Sequence, residues 1–135
     1  LKSMKKMTEA RCPLPILVVD DDEDILKMTS FVLDQLGYKV VTANDGAHGI
    51  AAIEEDGVTP CLILLDLMMP LMDGASFRRK LFEIPGAAAI PVVVLSGDNE
   101  LATKAATMAV AGFEQKPISV ERLAAVAAKF CSRTG

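Results

Sequence analysis

The chain has 135 residues, 51% of them hydrophobic, which is enough for one domain whose core needs no disulfide or metal. No apolar run approaches the length of a membrane span, so we expect a soluble protein with no membrane contact. The formal net charge is −4, and residues 12–135 hold 10 basic and 17 acidic side chains. Because such a body repels nucleic-acid phosphates, we expect no direct binding to nucleic acid.

The start of the chain differs from this acidic body, because its charged residues are mostly basic: Lys2, Lys5, Lys6 and Arg11 against Glu9. The segment has no apolar stretch of the signal-peptide type, and it begins with Leu1 rather than Met. We interpret residues 1–13 as a disordered leader or tag and residues 14–133 as the domain. A native basic arm is the alternative.

The cysteines Cys12, Cys61 and Cys131 are an odd number without the paired spacing of a metal site. Cys61 also falls in a predicted core strand. This pattern favours free thiols and a reducing, cytoplasmic location. His48 is the single histidine, so a histidine-based metal site is not expected.

Five short segments along the chain predict strands, and the first, third and fourth of them are apolar enough to be buried. They cover residues 14–19, 38–43, 61–65, 91–95 and 112–115. The segments between and after them carry apolar residues at helical spacing and predict five helices, at about 22–36, 47–56, 74–83, 100–109 and 119–130. Gly37 ends the first helix and Ser119 caps the last. Strands that alternate with helices imply a parallel sheet covered by helices on both faces.

Five consecutive acidic residues follow the first predicted strand, at 20–24. The last three are interpreted as the first turn of a helix, where the helix dipole stabilises negative charge. Asp20 and Asp21 come before that helix. Because hard carboxylate oxygens are the ligands that Mg²⁺ prefers, we interpret these two residues as ligands of a divalent cation.

Polar residues also end three other predicted strands: Asp66, Ser96 and Lys116. Right-handed crossovers place the ends of parallel strands on one edge of the sheet, so these side chains are expected to converge with Asp20 and Asp21. Asp66 alone is open to a second interpretation, as the cap of a loop. Together, however, the five residues predict an acidic pocket with a nucleophile, a hydroxyl group and a cation.

The chemistry predicted for this pocket is phosphoryl transfer to a carboxylate. Mg²⁺ held by Asp20, Asp21 and Asp66 would neutralise the charges that meet there. Lys116 would contact a phosphoryl oxygen as a point charge, and the Ser96 hydroxyl group would donate to another. Asp66 is then the covalent nucleophile and forms an aspartyl phosphate.

Several motifs carry a resemblance to a known family: Ile16-Leu17-Val18-Val19-Asp20-Asp21, Leu64-Leu65-Asp66-Leu67-Met68-Met69-Pro70, Met72-Asp73-Gly74, Val94-Leu95-Ser96-Gly97 and Lys116-Pro117. In order and spacing they resemble the receiver domain of two-component response regulators, over residues 15–131. The resemblance implies an α/β fold of flavodoxin-like type. Its doubly wound, five-stranded parallel sheet would have the order 2-1-3-4-5 and five helices.

The same resemblance implies the roles of individual residues. Asp66 would accept phosphate from a sensor histidine kinase or a histidine phosphotransfer protein. Mg²⁺, with Mn²⁺ as a substitute, would be held by Asp20, Asp21, Asp66 and the backbone carbonyl of Met68. The family's Lys-Pro peptide is commonly cis, which is therefore expected for Lys116-Pro117.

Ser96 and Phe113 resemble the family's switch pair, with Ser in place of the commoner Thr and Phe in place of the frequent Tyr. Phosphorylation would draw the hydroxyl group toward the phosphoryl group, and the ring would turn into the vacated space. The face made by the fourth helix, the fifth strand and the fifth helix would then act on an output domain or protein, or form a homodimer. The resemblance thus implies a regulatory domain, not an enzyme, with autophosphorylation and slow autodephosphorylation.

A metal-dependent phosphohydrolase on a related sheet is the alternative function. Such an enzyme would need a second acid/base Asp two residues after the nucleophile, and Met68 occupies that position. The sequence leaves open whether the domain acts alone or belongs to a DNA-binding regulator or a hybrid kinase.

Overall fold

The computed structural model describes residues 12–66, 74–97 and 110–131. Within these ranges five strands are present: β1 (Ile16–Val19), β2 (Val40–Ala43), β3 (Leu62–Asp66), β4 (Val92–Ser96) and β5 (Gly112–Gln115). The helices of the same ranges are α1 (Glu23–Gln35), α2 (Gly46–Glu54), α3 (Gly74–Glu83) and a C-terminal helix (Val120–Phe130). The helix predicted at about 100–109 lies outside the described residues. None of the helices described has the length and apolar character needed to cross a bilayer.

All neighbouring strands are parallel, and their order is β2-β1-β3-β4-β5. The predicted fold class and strand order are therefore confirmed. In the register of the sheet, Val19 pairs with both Ala43 and Leu65, and Asp66 pairs with Leu95. The carboxyl ends of the strands consequently line up along one edge.

The inner strands β1, β3 and β4 are buried along their whole length and apolar up to their carboxyl ends, because the sheet is covered on both faces. Alternate residues of β1 enter different clusters, with Leu17 and Val19 in one and Ile16 and Val18 in the other. The first cluster is completed by α2 and α3 through Ile50, Ile53, Phe77 and Leu81. The second is completed by α1 and the C-terminal helix through Leu26, Leu33, Leu123, Val126 and Ala127.

Short polar side chains fix where the helices begin. The Asp22 side chain accepts hydrogen bonds from the backbone N–H groups of Asp24 and Ile25 and is the N-cap of α1. Glu23 and Asp24 lie in the first turn as predicted, whereas Asp22, also predicted there, precedes it. Ser119 likewise accepts from the N–H of Arg122 at the start of the C-terminal helix. At the end of α1, Gly37 has a φ of 96°, the left-handed conformation that glycine tolerates best.

Asp45 caps α2, and its carboxylate accepts from the backbone N–H of His48 at 2.7 Å. That backbone hydrogen bond, followed by the one with the His48 ring, lowers the pKa of Asp45. We expect Asp45→Ala to lower the free energy of unfolding by about 1 kcal/mol at neutral pH. Because the folded pKa is depressed, the carboxylate's contribution is complete above its unfolded value and is lost as pH falls through the folded value.

Urea denaturation of the wild type and of Asp45→Ala, from neutral pH down to about pH 3.5, measures the difference in their free energies of unfolding. Asp45→Asn is the matched control, since Asn also caps helices well and should keep most of the stability at every pH. Equal stability of the wild type and Asp45→Ala at neutral pH would contradict the assigned cap.

The prediction of free thiols is wrong for two of the three cysteines, because Cys61 and Cys131 form a disulfide. They are 70 positions apart in sequence. Cys61 directly precedes β3, however, and Cys131 follows the C-terminal helix, which returns the chain to the edge where the strands begin. Cys12 is free and buried in the second cluster. The core therefore starts before residue 14, and residues 1–11 lie outside the described part.

Candidate functional site

Three carboxylates meet at the carboxyl edge of the sheet. Asp20 directly follows β1 and Asp66 is the last residue of β3, the neighbouring strand. One carboxylate oxygen from each of Asp20, Asp21 and Asp66 lies within 4.8 Å of the other two. Asp20 and Asp66 are 1% and 5% exposed, whereas Asp21 is exposed. The predicted convergence of these residues is thus present.

Lys116 joins this cluster from two strands away. It directly follows β5, and its Nζ lies 2.9 Å from Oδ2 of Asp20 and 3.3 Å from Oδ1 of Asp66. The Lys116 N–H donates to the carbonyl of Ser96 at 2.9 Å, and the Lys116-Pro117 peptide is cis, as the resemblance implied. One ammonium group therefore bridges the two buried carboxylates.

The surroundings of Lys116 act on its pKa in opposite directions. Burial lowers the pKa, but the hydrogen bond and charge of Asp20 and the charge and hydrogen bond of Asp66 together outweigh it, so the net shift is upward. A raised folded pKa means that the stability from these ion pairs is fully present below the unfolded pKa. It is lost only as pH rises beyond the ordinary value of 10.5 and through the folded value.

The two predicted switch residues lie on the strands between Asp66 and Lys116. Ser96 ends β4 and is 2% exposed, one position beyond Leu95, the register partner of Asp66. Phe113 lies in β5, the edge strand, and its side chain is half exposed. Met68, whose carbonyl was expected to bind metal, lies outside the described residues.

Oxygen donors and local charge define what this site can do chemically. Three carboxylates against one ammonium group leave an excess of negative charge, and a cluster of carboxylate oxygens could hold a hard divalent cation. The ion pair between Lys116 and Asp20 was missed by the sequence reasoning, which assigned Lys116 to a phosphoryl oxygen alone. The signal for it was the position of Asp20 at the end of an apolar strand, because a buried carboxylate needs a partner.

Comparison with known proteins agrees with the fold and the site. Residues 16–128 match the family model described as the response regulator receiver domain. The chain is 32% identical over 126 residues to the probable transcriptional regulatory protein TcrX of Mycobacterium tuberculosis, with 91% of this chain and 52% of TcrX covered. It is 31% identical over 119 residues to the chemotaxis protein CheY of Treponema pallidum, with 84% of this chain and 83% of CheY covered.

A solved structure shows the same likeness in three dimensions. The receiver domain of NtrX from Brucella abortus superposes with a TM-score of 0.76 at 30% identity, covering 89% of this chain and 99% of that one. The chain spans only about half of TcrX, which is longer. Receiver domains are regulatory domains that take phosphate from sensor histidine kinases. The chain belongs to this family, the receiver domains of two-component response regulators.

Proposed function

We propose that Asp66 is the phosphoacceptor of this receiver domain, with a histidine of a sensor kinase or phosphotransfer protein as the donor. The observation that supports it is the position of Asp66 at the end of the central strand β3, with the Lys116 ammonium group 3.3 Å from its Oδ1. Asp20 is engaged at both oxygens, by the N–H of Asp22 and by Lys116. Asp21 is exposed, whereas Asp66 is buried at the strand end beside that ammonium group.

The transfer is a displacement at phosphorus. A carboxylate oxygen of Asp66 attacks, the O–P bond forms, and the P–N bond to the donor imidazole breaks, with the imidazole taking up a proton. Lys116 supplies positive charge beside the acceptor, and the Ser96 hydroxyl group donates to a phosphoryl oxygen. With a small acyl phosphate as the donor, the bond that breaks is instead the P–O bond to the acyl group, and the carboxylate of the donor leaves. Slow attack of water on the phosphorus then returns the carboxylate and inorganic phosphate.

The carboxylates Asp20, Asp21 and Asp66, with the carbonyl of Met68, form the set that would hold Mg²⁺. The fit rests on the three carboxylate oxygens that lie within 4.8 Å of one another, since an all-oxygen donor set suits a hard cation and also accepts Mn²⁺. Mg²⁺, when bound, supplies the charge that offsets repulsion between the carboxylate and the phosphoryl group.

The readout we propose passes from Ser96 to Phe113. The ring of Phe113 is half exposed, and we expect it to turn inward once the Ser96 hydroxyl group has moved toward the phosphoryl group. That change would alter the face around β5 and the C-terminal helix, which meets an output domain or protein, or a second copy of the domain. The proposed location is the cytoplasm, where the ATP that charges histidine kinases is found.

The function is tested by incubating the protein with acetyl phosphate and Mg²⁺ and measuring its intact mass. We expect one phosphoryl group per chain, located at Asp66 after borohydride trapping of the acyl phosphate, and little uptake when a chelator replaces Mg²⁺. In the same sample the NMR signals of the Phe113 ring should shift. Uptake at another residue, or uptake that ignores the chelator, would contradict the proposal.

A further inference from the structure

The Cys61–Cys131 disulfide links the two parts of the domain that the site depends on. Cys61 directly precedes β3, the strand that ends in Asp66, and Cys131 is the C-cap of the C-terminal helix. The covalent loop between them contains Asp66, Ser96, Phe113 and Lys116. The disulfide thus fixes the end of the C-terminal helix to the strand that carries the phosphoacceptor.

Noncovalent contacts hold the same helix less firmly at its end than in its middle. Leu123 and Ala127 are buried against the sheet, whereas Phe130 in the last turn is only partly buried. Beyond that turn, the N–H of Cys131 donates to the carbonyl of Ala127 at 2.7 Å. Helix ends fray because their last backbone groups lack partners within the helix. The disulfide therefore restrains the part of the helix that would open first.

The surroundings of Cys61 can also accommodate its reduced thiol. Sγ of Cys61 lies 3.5 Å from the carbonyl oxygens of both Leu14 and Pro15. In the disulfide this sulfur carries no proton, but after reduction its S–H group has two acceptors within reach. Reduction therefore creates no unsatisfied donor at Cys61. The two redox states differ mainly in whether the helix end is covalently held.

We propose that Cys61 and Cys131 are a redox modification site that controls how tightly the C-terminal helix is held on the sheet. The co-substrate is a low-potential dithiol of the thioredoxin class or glutathione. One S–S bond breaks, two S–H groups form, and the reductant is oxidised to its disulfide by loss of two electrons and two protons. In the cytoplasm, which the proposed function implies, thiols are normally kept reduced and disulfides are usually transient.

Burial of the sulfurs makes this reaction depend on opening of the helix end. Cys131 is 1% exposed and Cys61 is 9% exposed, so an external thiolate reaches neither sulfur in the closed state. The reduction rate should therefore level off as the reductant concentration rises, because opening becomes limiting. A freely accessible disulfide would instead react in proportion to reductant.

The test uses the full chain equilibrated in oxidising and in reducing glutathione buffer. Alkylation and mass spectrometry should count one free thiol in the oxidised protein and three in the reduced protein. Amide hydrogen exchange of residues 120–131 should speed up at least about tenfold on reduction, with β1 little changed, and the melting temperature should fall by roughly 10 °C. Cys131→Ser should behave like the reduced protein in both buffers, and Cys12→Ser is the matched control that keeps the response.

Two results would overturn the inference. One is three free thiols in every glutathione buffer, and the other is equal exchange in residues 120–131 for the oxidised and reduced wild type. The wild-type comparison needs no variant to fold. Asp66→Asn should show the same redox response, since thiol counts and amide exchange do not require phosphorylation. Failure of the phosphoacceptor assignment can thus be told apart from failure of the redox site.

Discussion

Replacement of Asp66 by Asn is expected to reduce phosphate uptake from acetyl phosphate by at least about 10³-fold. Asn has nearly the same size and fits the end of β3, but its amide oxygen is a poor nucleophile toward phosphorus. It also removes the negative charge that faces Lys116 at 3.3 Å. Intact mass as a function of time, with Mg²⁺ present, measures the initial rate of uptake.

The matched control for that variant is Asp34→Asn, the same chemical change at an exposed position of α1. It should take up phosphate at the wild-type rate, and both variants should keep the wild-type circular dichroism spectrum. Near-normal uptake by Asp66→Asn would show that the phosphoacceptor is another residue. Asp20 and Asp21 would then be the next carboxylates to replace.

Lys116→Met should lower the free energy of unfolding of the metal-free protein by about 2–3 kcal/mol. The variant leaves Asp20 and Asp66 buried together without the ammonium group that bridges them. We expect a smaller loss of unfolding free energy than for a fully buried ion pair, because the Lys116 side chain is 20% exposed and water weakens its ion pairs. Phosphate uptake should also fall, by about 10²-fold, because positive charge beside the acceptor is lost.

Chemical denaturation with and without Mg²⁺ measures the loss of stability and tests whether it comes from repulsion between the carboxylates. Mg²⁺ should stabilise Lys116→Met more than the wild type, since a bound cation offsets the carboxylate repulsion that Lys116 otherwise reduces. Lys39→Met is the control, because Lys39 is exposed and its loss should change neither stability nor uptake appreciably. Stability of Lys116→Met equal to that of the wild type would mean that the ion pairs contribute little.

Short sequence patterns and the topology of parallel sheets account for most of the features of the fold that could be predicted. The apolar run at 61–65 has no alternation because β3 is buried on both faces, so its pattern alone indicated a central strand. Asp22 and Ser119 act within three residues of their own position, which is why the helix starts were predictable. The convergence of Asp20 and Asp66 followed from topology, since parallel strands bring their carboxyl ends to one edge.

Features that depend on packing between distant segments were not predictable in this way. The closeness of Cys61 and Cys131 arises only when the C-terminal helix packs against the sheet, and no local pattern records it. The pairing of Lys116 with Asp20 depends on how far a flexible side chain reaches past the ends of β4 and β3, which lie between β5 and β1. The half exposure of Phe113 likewise reflects the position of β5 at the edge of the sheet rather than any property of its sequence.

The ion pairs of Lys116 with Asp20 and Asp66 link the carboxylate cluster to the segment between β5 and the C-terminal helix. The ammonium group of Lys116 lies among the carboxylates, while its backbone lies in the segment that leads from β5 to the C-terminal helix. On the proposal that Asp66 accepts phosphate, a protein that binds this segment and favours one position of Lys116 would change how favourable the phosphorylated state is. Thermodynamic reciprocity then requires that phosphate alter the affinity for that protein by the same factor.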